Sequence, residues 1–219
     1  MPPLSPNGAT TRIVALAGAT GLVGRAILEG LLADASVTAV HALGRRAPGV
    51  AHPKLIPHVV DFAALPPLPP LDEVYLALGT TIKAAGSRAT FRVVDFDANL
   101  AVASAARAHR AGLVSAMGAD AKSRIFYNRV KGEIEDALTQ LPFDGLVIAR
   151  PSLLVGNREA LGQPVRPAEK AVTVVSRFLG PLVPANYRPI NAAEVARALL
   201  ARVPTARGRV VLLSGDMQA

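Results

Sequence analysis

Tyr127 and Lys131 stand four residues apart in YNRVKG, and on a helix that spacing places both side chains on one face. The pair suits proton transfer to a carbonyl oxygen. A free tyrosine, with a pKa of about 10, holds its proton too tightly to exchange it near neutrality. An ammonium one turn away favours the phenolate and lowers that barrier. The same lysine can also hold a ribose. Two serines compete as the hydroxyl that polarises a substrate carbonyl. Ser115 lies twelve residues before Tyr127, at the carboxyl end of LVSA, and Ser123 lies four before it. A position directly after a strand favours Ser115. Asn99, upstream on a long helical segment, either orders a proton-relay water or simply faces solvent.

A second group of residues points to a nucleotide. In RIVALAGATGLVGRAILEGLL, an apolar run leads into Gly18, Gly21 and Gly24 and then into a helical pattern. Gly18 can take the positive φ of a tight turn, and Gly24 lets helix and strand close together. Gly21, with Thr20, Leu22 and Val23 around it, leaves backbone N–H groups free for a pyrophosphate at the helix N-terminus. The spacing is G-x-x-G-x-x-G, one residue longer than the commoner G-x-G-x-x-G turn. About twenty residues further on, an acid would read an NAD ribose. HALGRRA has none, and puts Arg45 and Arg46 in that place. Guanidinium groups suit a 2′-phosphate, so NADP(H) is expected over NAD(H). Asp61, in VVDF, either accepts from the adenine amino group or caps its own loop. Leu78, Gly79 and Thr80, in LALGTT, are expected beside the middle of the cofactor.

These residues need a frame that gathers strand ends at one edge. Strands are expected at 12–17, 37–43, 55–61, 73–78, 112–116, 145–149 and 209–214. Helices are expected at 22–33, 88–110, 121–140, 168–179 and 192–202. Strands alternating with helical crossovers imply an α/β fold, a doubly wound parallel sheet of the Rossmann kind, with ligands at the carboxyl edge. LPPLPPL at 65–71 reads as a stiff connector. The chain is expected to be one dinucleotide-binding domain over 1–219, with proline-rich residues 152–190 as a small substrate-side lobe.

Composition narrows the function. Cysteine is absent, and the four histidines show no tight ligand spacing, so no metal is expected. No apolar run is long enough to span a membrane. The proline-rich start carries no secretory pattern, which pointed to the cytoplasm. The net charge is +8, but the basic residues are spread out, and only nine Phe or Tyr exist, with no RNP-like run. That pattern argues against nucleic acid.

Together GATGLVG, LGTTIK, VSAMGADAKS, YNRVKGEIE and RPSLLVGNRE resemble the atypical short-chain dehydrogenase/reductase superfamily. The likeness is to the branch related to the Tat-interacting NADPH-binding oxidoreductase, which includes bacterial proteins labelled nucleoside-diphosphate-sugar epimerase-like. It spans residues 12 to 215 or so, and implies NADPH across the strand edge with a Ser–Tyr–Lys site at Ser115, Tyr127 and Lys131. It also places Pro151 and Ser152 near the nicotinamide, and Asn157 and Arg158 on the substrate side. The expected function is hydride transfer to or from a small carbonyl or hydroxyl substrate. A non-catalytic NADPH-binding regulator is the alternative, and a protein partner or homodimer stays open. Residues 80–90 and 152–190 offer few polar substrate anchors beyond Lys83, Arg88, Arg158 and Arg166.

One feature of the chain conflicts with that frame. If the long helix runs to Arg110, residues 110 to 115 span at most about 18 Å. That leaves almost no turn, so the fifth strand is expected to be truncated or the chain broken between Arg110 and Leu113.

Overall fold

The computed structural model describes residues 11–155 and 184–218. Seven parallel strands form one sheet in the order β3-β2-β1-β4-β5-β6-β9. They are β1 (Arg12–Ala17), β2 (Val37–Gly44), β3 (Leu55–Val59), β4 (Glu73–Leu76), β5 (Arg110–Val114), β6 (Gly145–Arg150) and β9 (Gly208–Leu213). A separate parallel pair joins β7 (Leu154–Val155) to β8 (Ile190–Asn191), which the sequence reading did not anticipate. Pro57 sits in β3, at the sheet's edge, where a missing backbone donor costs least.

The helices are α1 (Leu22–Ala33), α2 (Ile82–Ala85), α3 (Arg88–Arg92), α4 (Ala98–Ala106), α5 (Phe126–Thr139), α6 (Ala192–Arg202) and α7 (Ser214–Met217). A π turn, Val93–Asp97, joins α3 to α4. One face of the sheet is covered by α1 and α6 through Val23, Ile27, Leu31, Val195 and Leu199. The other is covered by α4 and α5 through Val102, Ala106, Ile134 and Leu138. With both faces buried, the strands read as near-continuous apolar runs, and the Rossmann expectation holds. The expected helix 168–179 lies outside the described residues, as does most of the 152–190 lobe.

The conflict at the fifth strand dissolves, because the helix is shorter than expected. It ends at Ala106, and Arg107 adopts a left-handed conformation with φ 44°. Three residues then suffice for the turn. Arg110 enters the sheet with its N–H on Asp72 O at 3.2 Å. Leu113 pairs with Leu76 on one side and Ile148 on the other, so β5 is neither truncated nor broken. The helix expected at 121–140 starts late for a different reason. Asp120 accepts from Lys122 N–H at 2.9 Å and Ser123 Oγ from Ile125 N–H at 3.1 Å, giving that backbone non-helical partners.

At the opposite, amino edge of the sheet, a partly buried ion cluster ties the strands together. The Arg12 guanidinium donates to both oxygens of Glu73, at 2.7 and 2.9 Å, and to Asp34 at 2.5 Å. Tyr75 donates its hydroxyl proton to Glu73 at 2.9 Å.

Candidate functional site

The glycine turn forms as the sequence required. Gly18 has φ +93°, and a Cβ there would fall 2.5 Å from Ala77 O. A Cβ on Gly24 would fall 2.0 Å from Gly18 O, so helix α1 lies hard against the turn. Gly21 is the N-cap of α1 and supplies no side-chain hydrogen bond. The first N–H groups of the helix, from Leu22 and Val23 onward, therefore point outward without a capping acceptor, an arrangement that suits an anion.

Above this turn lies a cleft of about 390 Å³. Gly18, Thr20, Gly21, Arg45, Arg46, Leu78, Gly79 and Thr80, all singled out from the sequence for the cofactor, line it. Residues not anticipated also line it: Ala19, Pro48, Phe62, Ala84, Ala85, Thr90 and Val94. Arg45 and Arg46 are exposed, and no ion pair engages either among the described residues. Asp61 is not part of the lining. Its Oδ1 accepts from Ala63 N–H at 3.0 Å, the loop-capping alternative, and the adjacent Phe62 presents itself to the cleft instead.

Beyond the cleft, α5 carries Tyr127 and Lys131 on one face. Tyr127 packs its ring on Phe91 of α3, with centroids 5.4 Å apart. Lys131 is buried, with Nζ 2.8 Å from Asp95 Oδ1. Burial pulls its pKa down, but Asp95 and then Tyr127 outweigh that and leave the ammonium above the ordinary lysine value. Asp95 was missed by the sequence reading. So was Glu135, four residues past Lys131 and one turn along the same face.

Glu135 changes the expectation for Ser115. The buried Ser115 hydroxyl donates to Glu135 Oε1 at 2.5 Å rather than to Tyr127. Arg150 and Arg209 also bond to Glu135, at 2.5 and 3.2 Å. Tyr127 and Glu135 are eight residues apart, about 12 Å along the helix axis. Lys131, midway between them, also meets the strand end, with Nζ 3.5 Å from Val114 O. Ser123 accepts from backbone and belongs to the loop before α5.

Asn99 is fully buried, not a surface residue. Its Nδ2 donates to Leu78 O at 3.1 Å and Asp95 O at 3.0 Å, joining α4 to the cleft loop. Ser152 is engaged at the exit of β6. Its N–H donates to Ser214 Oγ at 2.7 Å and its hydroxyl to Arg188 O. Pro151 is buried and accepts from Met117 N–H at 2.9 Å. Asn157 and Arg158 lie outside the described residues. Among the described residues no group of three or more His, Asp or Glu is arranged to hold a metal, and no helix is long and apolar enough to cross a membrane.

Comparison with known proteins supplies the relatives. The chain is 40% identical over 182 residues to the mitochondrial protein fmp52 of Emericella nidulans, covering 76% of each chain. It is 30% identical over 218 residues to mitochondrial FMP52 of Candida albicans, covering 91% of this chain and 93% of that one. No protein-family model matches. MoeE5 in complex with UDP-glucose and NAD shares the fold at TM-score 0.68 and 16% identity, covering 91% of this chain and 75% of that one. A short-chain dehydrogenase/reductase superfamily protein of Agrobacterium tumefaciens with bound NAD does so at TM-score 0.65 and 13% identity, over 92% and 77%. The relatives' names overturn the cytoplasmic expectation. That expectation rested on the lack of an apolar secretory segment, whereas mitochondrial import segments are amphipathic and Arg-rich, so the lack was no argument.

Proposed function

Since the chain belongs to the Fmp52 family and carries the short-chain dehydrogenase/reductase fold, we propose that it binds NADPH and reduces a small carbonyl substrate, or runs that reaction in reverse. The observation that carries this reading is the pair of exposed guanidiniums, Arg45 and Arg46, on the wall of the glycine-turn cleft. The uncapped N-terminus of α1 would take the pyrophosphate, the two arginines the 2′-phosphate, and Leu78 to Thr80 the middle of the dinucleotide. NADPH, when bound, supplies the hydride.

The chain's own residues supply the proton. Tyr127 would give it from Oη to the developing alkoxide, and Lys131 would keep a positive charge behind the phenol as the proton leaves. Ser115 belongs to this site through Glu135, which ties strand β5 to α5. Pro151 and Ser152 shape the exit of β6 on the nicotinamide side.

Calorimetry tests the cofactor assignment. NADPH should bind about tenfold or more tightly than NADH, because a charge-assisted contact to the 2′-phosphate has no counterpart in NADH. The Arg45→Ala/Arg46→Ala double variant should lose that margin and leave NADH affinity unchanged. Equal affinities in the unaltered protein would overturn the reading.

The bond from Ser115 to Glu135 favours a second reading. A site whose serine is occupied elsewhere fits a protein that uses NADPH occupancy to change a contact with a protein partner. Turnover decides between the two.

A further inference from the structure

Under the cleft lies a buried charge that the proton-transfer chemistry does not require. Asp95 sits fully buried in the π turn, in a stretch otherwise rich in apolar residues. Burying a carboxylate is costly unless its oxygens are matched. Each oxygen of Asp95 is matched to a different part of the site. Oδ2 accepts from Thr80 N–H at 2.9 Å, in the loop that floors the cleft. Oδ1 meets the Lys131 ammonium as an ion pair at 2.8 Å.

The pair lies directly against the cleft backbone. A Cβ on Gly79 would be 3.5 Å from Asp95 Oδ1 and 3.8 Å from Lys131 Nζ. The turn that carries Asp95 is itself clamped, since Asn99 Nδ2 donates to both Asp95 O and Leu78 O. Cleft loop, carboxylate and ammonium thus form one assembly. π turns of this kind recur at functional sites, where the extra residue aims a side chain that a regular helix would not.

We infer that Asp95 is the positioning residue of the site: it holds the Lys131 ammonium charged and fixed behind Gly79 and Thr80, and so sets the charge that Tyr127 meets. This rests on the reading of Tyr127 and Lys131 as the proton-transfer pair. The charged and titratable groups facing Lys131 are Asp95 from the π turn and Tyr127 and Glu135 from α5. Strand β5 contributes only the Val114 carbonyl, at 3.5 Å. Glu135 is already shared by Arg150, Arg209 and Ser115, which leaves Asp95 as the counter-charge of Lys131.

The test reads Lys131 directly. The chain has five lysines, so NMR of protein labelled at lysine side chains resolves each titration, with Lys131 assigned by its loss in Lys131→Met. Asp95→Asn, which keeps shape and removes charge, should lower the proton affinity of Lys131 by about tenfold or more, and Asp95→Glu should restore most of it. An unmoved Lys131 titration in Asp95→Asn overturns the assignment. A thermal cycle covers the case of a poorly folded variant. Asp95→Asn and Lys131→Met should each lower the melting temperature, and the double variant should lose clearly less than their sum; strict additivity overturns the pairing. An NADPH titration of the unaltered protein keeps the two proposals apart. Absence of binding removes the cofactor reading, while the Lys131 titration still decides the role of Asp95.

Discussion

Tyr127→Phe should cut turnover by roughly a hundred- to ten-thousand-fold, the range for loss of a positioned general acid, while NADPH affinity stays the same. The substitution removes one oxygen. The ring packs on Phe91, and a phenylalanine keeps that contact, so α5 and the fold should be unaffected. On the proposed reading, cofactor binding runs through the glycine turn, the two arginines and the loop at Gly79, and Tyr127 is not among the residues lining that cleft. Only the proton donated from Oη is lost. NADPH oxidation measured across a panel of small aldehydes and ketones gives the result. A carbonyl reduced equally fast by both proteins would place the proton elsewhere, and a panel with no turnover in either would favour the regulatory reading.

The second large effect lies at the other end of the sheet. Arg12→Ala should destabilise the fold by about 3–5 kcal/mol, because removing one partner leaves a buried charge uncompensated. Glu73 is fully buried, and Arg12 supplies both of its short guanidinium bonds. The same arginine holds Asp34, linking the end of α1 to the start of β1. Tyr75 cannot take over. Burial and the neighbouring Glu73 push its hydroxyl well above the usual tyrosine range, so it stays a neutral donor. Urea denaturation should show the loss in the midpoint, and Arg12→Ala/Glu73→Gln should recover a large part of it. A loss below about 1 kcal/mol, as for an exposed pair, would show that Glu73 is solvated in solution. The Asp34 share carries a pH signature. Burial raises its carboxyl pKa, but hydrogen bonds from Ser36 and the charge of Arg12 outweigh that and hold it below the ordinary range. A depressed carboxylate contributes fully above its unfolded value of about 4 and loses that contribution as pH falls through the folded one. The cost of Arg12→Ala should therefore shrink in acid.

The parts that were legible in the sequence share one property: they are set by short-range pattern. The apolar runs gave the strands of the sheet, and the three glycines gave a turn whose crowding leaves no room for a side chain. Tyr127 and Lys131 lie on one helix, as their four-residue spacing implied. The missed residues depend on contacts between distant segments. Asp95 looks like one more acid in VVDFD, and only the packing of the π turn on α5 reveals it as the partner of Lys131. Glu135 could have been found, since it continues the four-residue spacing of Tyr127 and Lys131. The pattern cannot say that its partners come from β6, β9 and the residue that follows β5. The helix ends were misplaced for local reasons, a left-handed Arg107 and side-chain caps at Asp120 and Ser123 that compete with helix.

The π turn has a consequence for how this chain can change in length. From Arg88 to Ala106 the backbone runs as a helix carrying one residue more than regular winding needs. Each residue of an α-helix turns the chain by about 100°. Deleting one of Val93, Val94, Phe96 or Asp97 would restore regular winding and leave α3 and α4 in phase, because the wide turn already absorbs that extra step. Phe91 would stay buried beneath Tyr127, while the side chains inside the turn would be re-aimed and Asp95 would leave Lys131. An exposed position such as Ala89 can vary in type at little cost. The number of residues between Phe91 and Asn99 therefore decides where Asp95 points rather than how the two halves of the helix face the sheet.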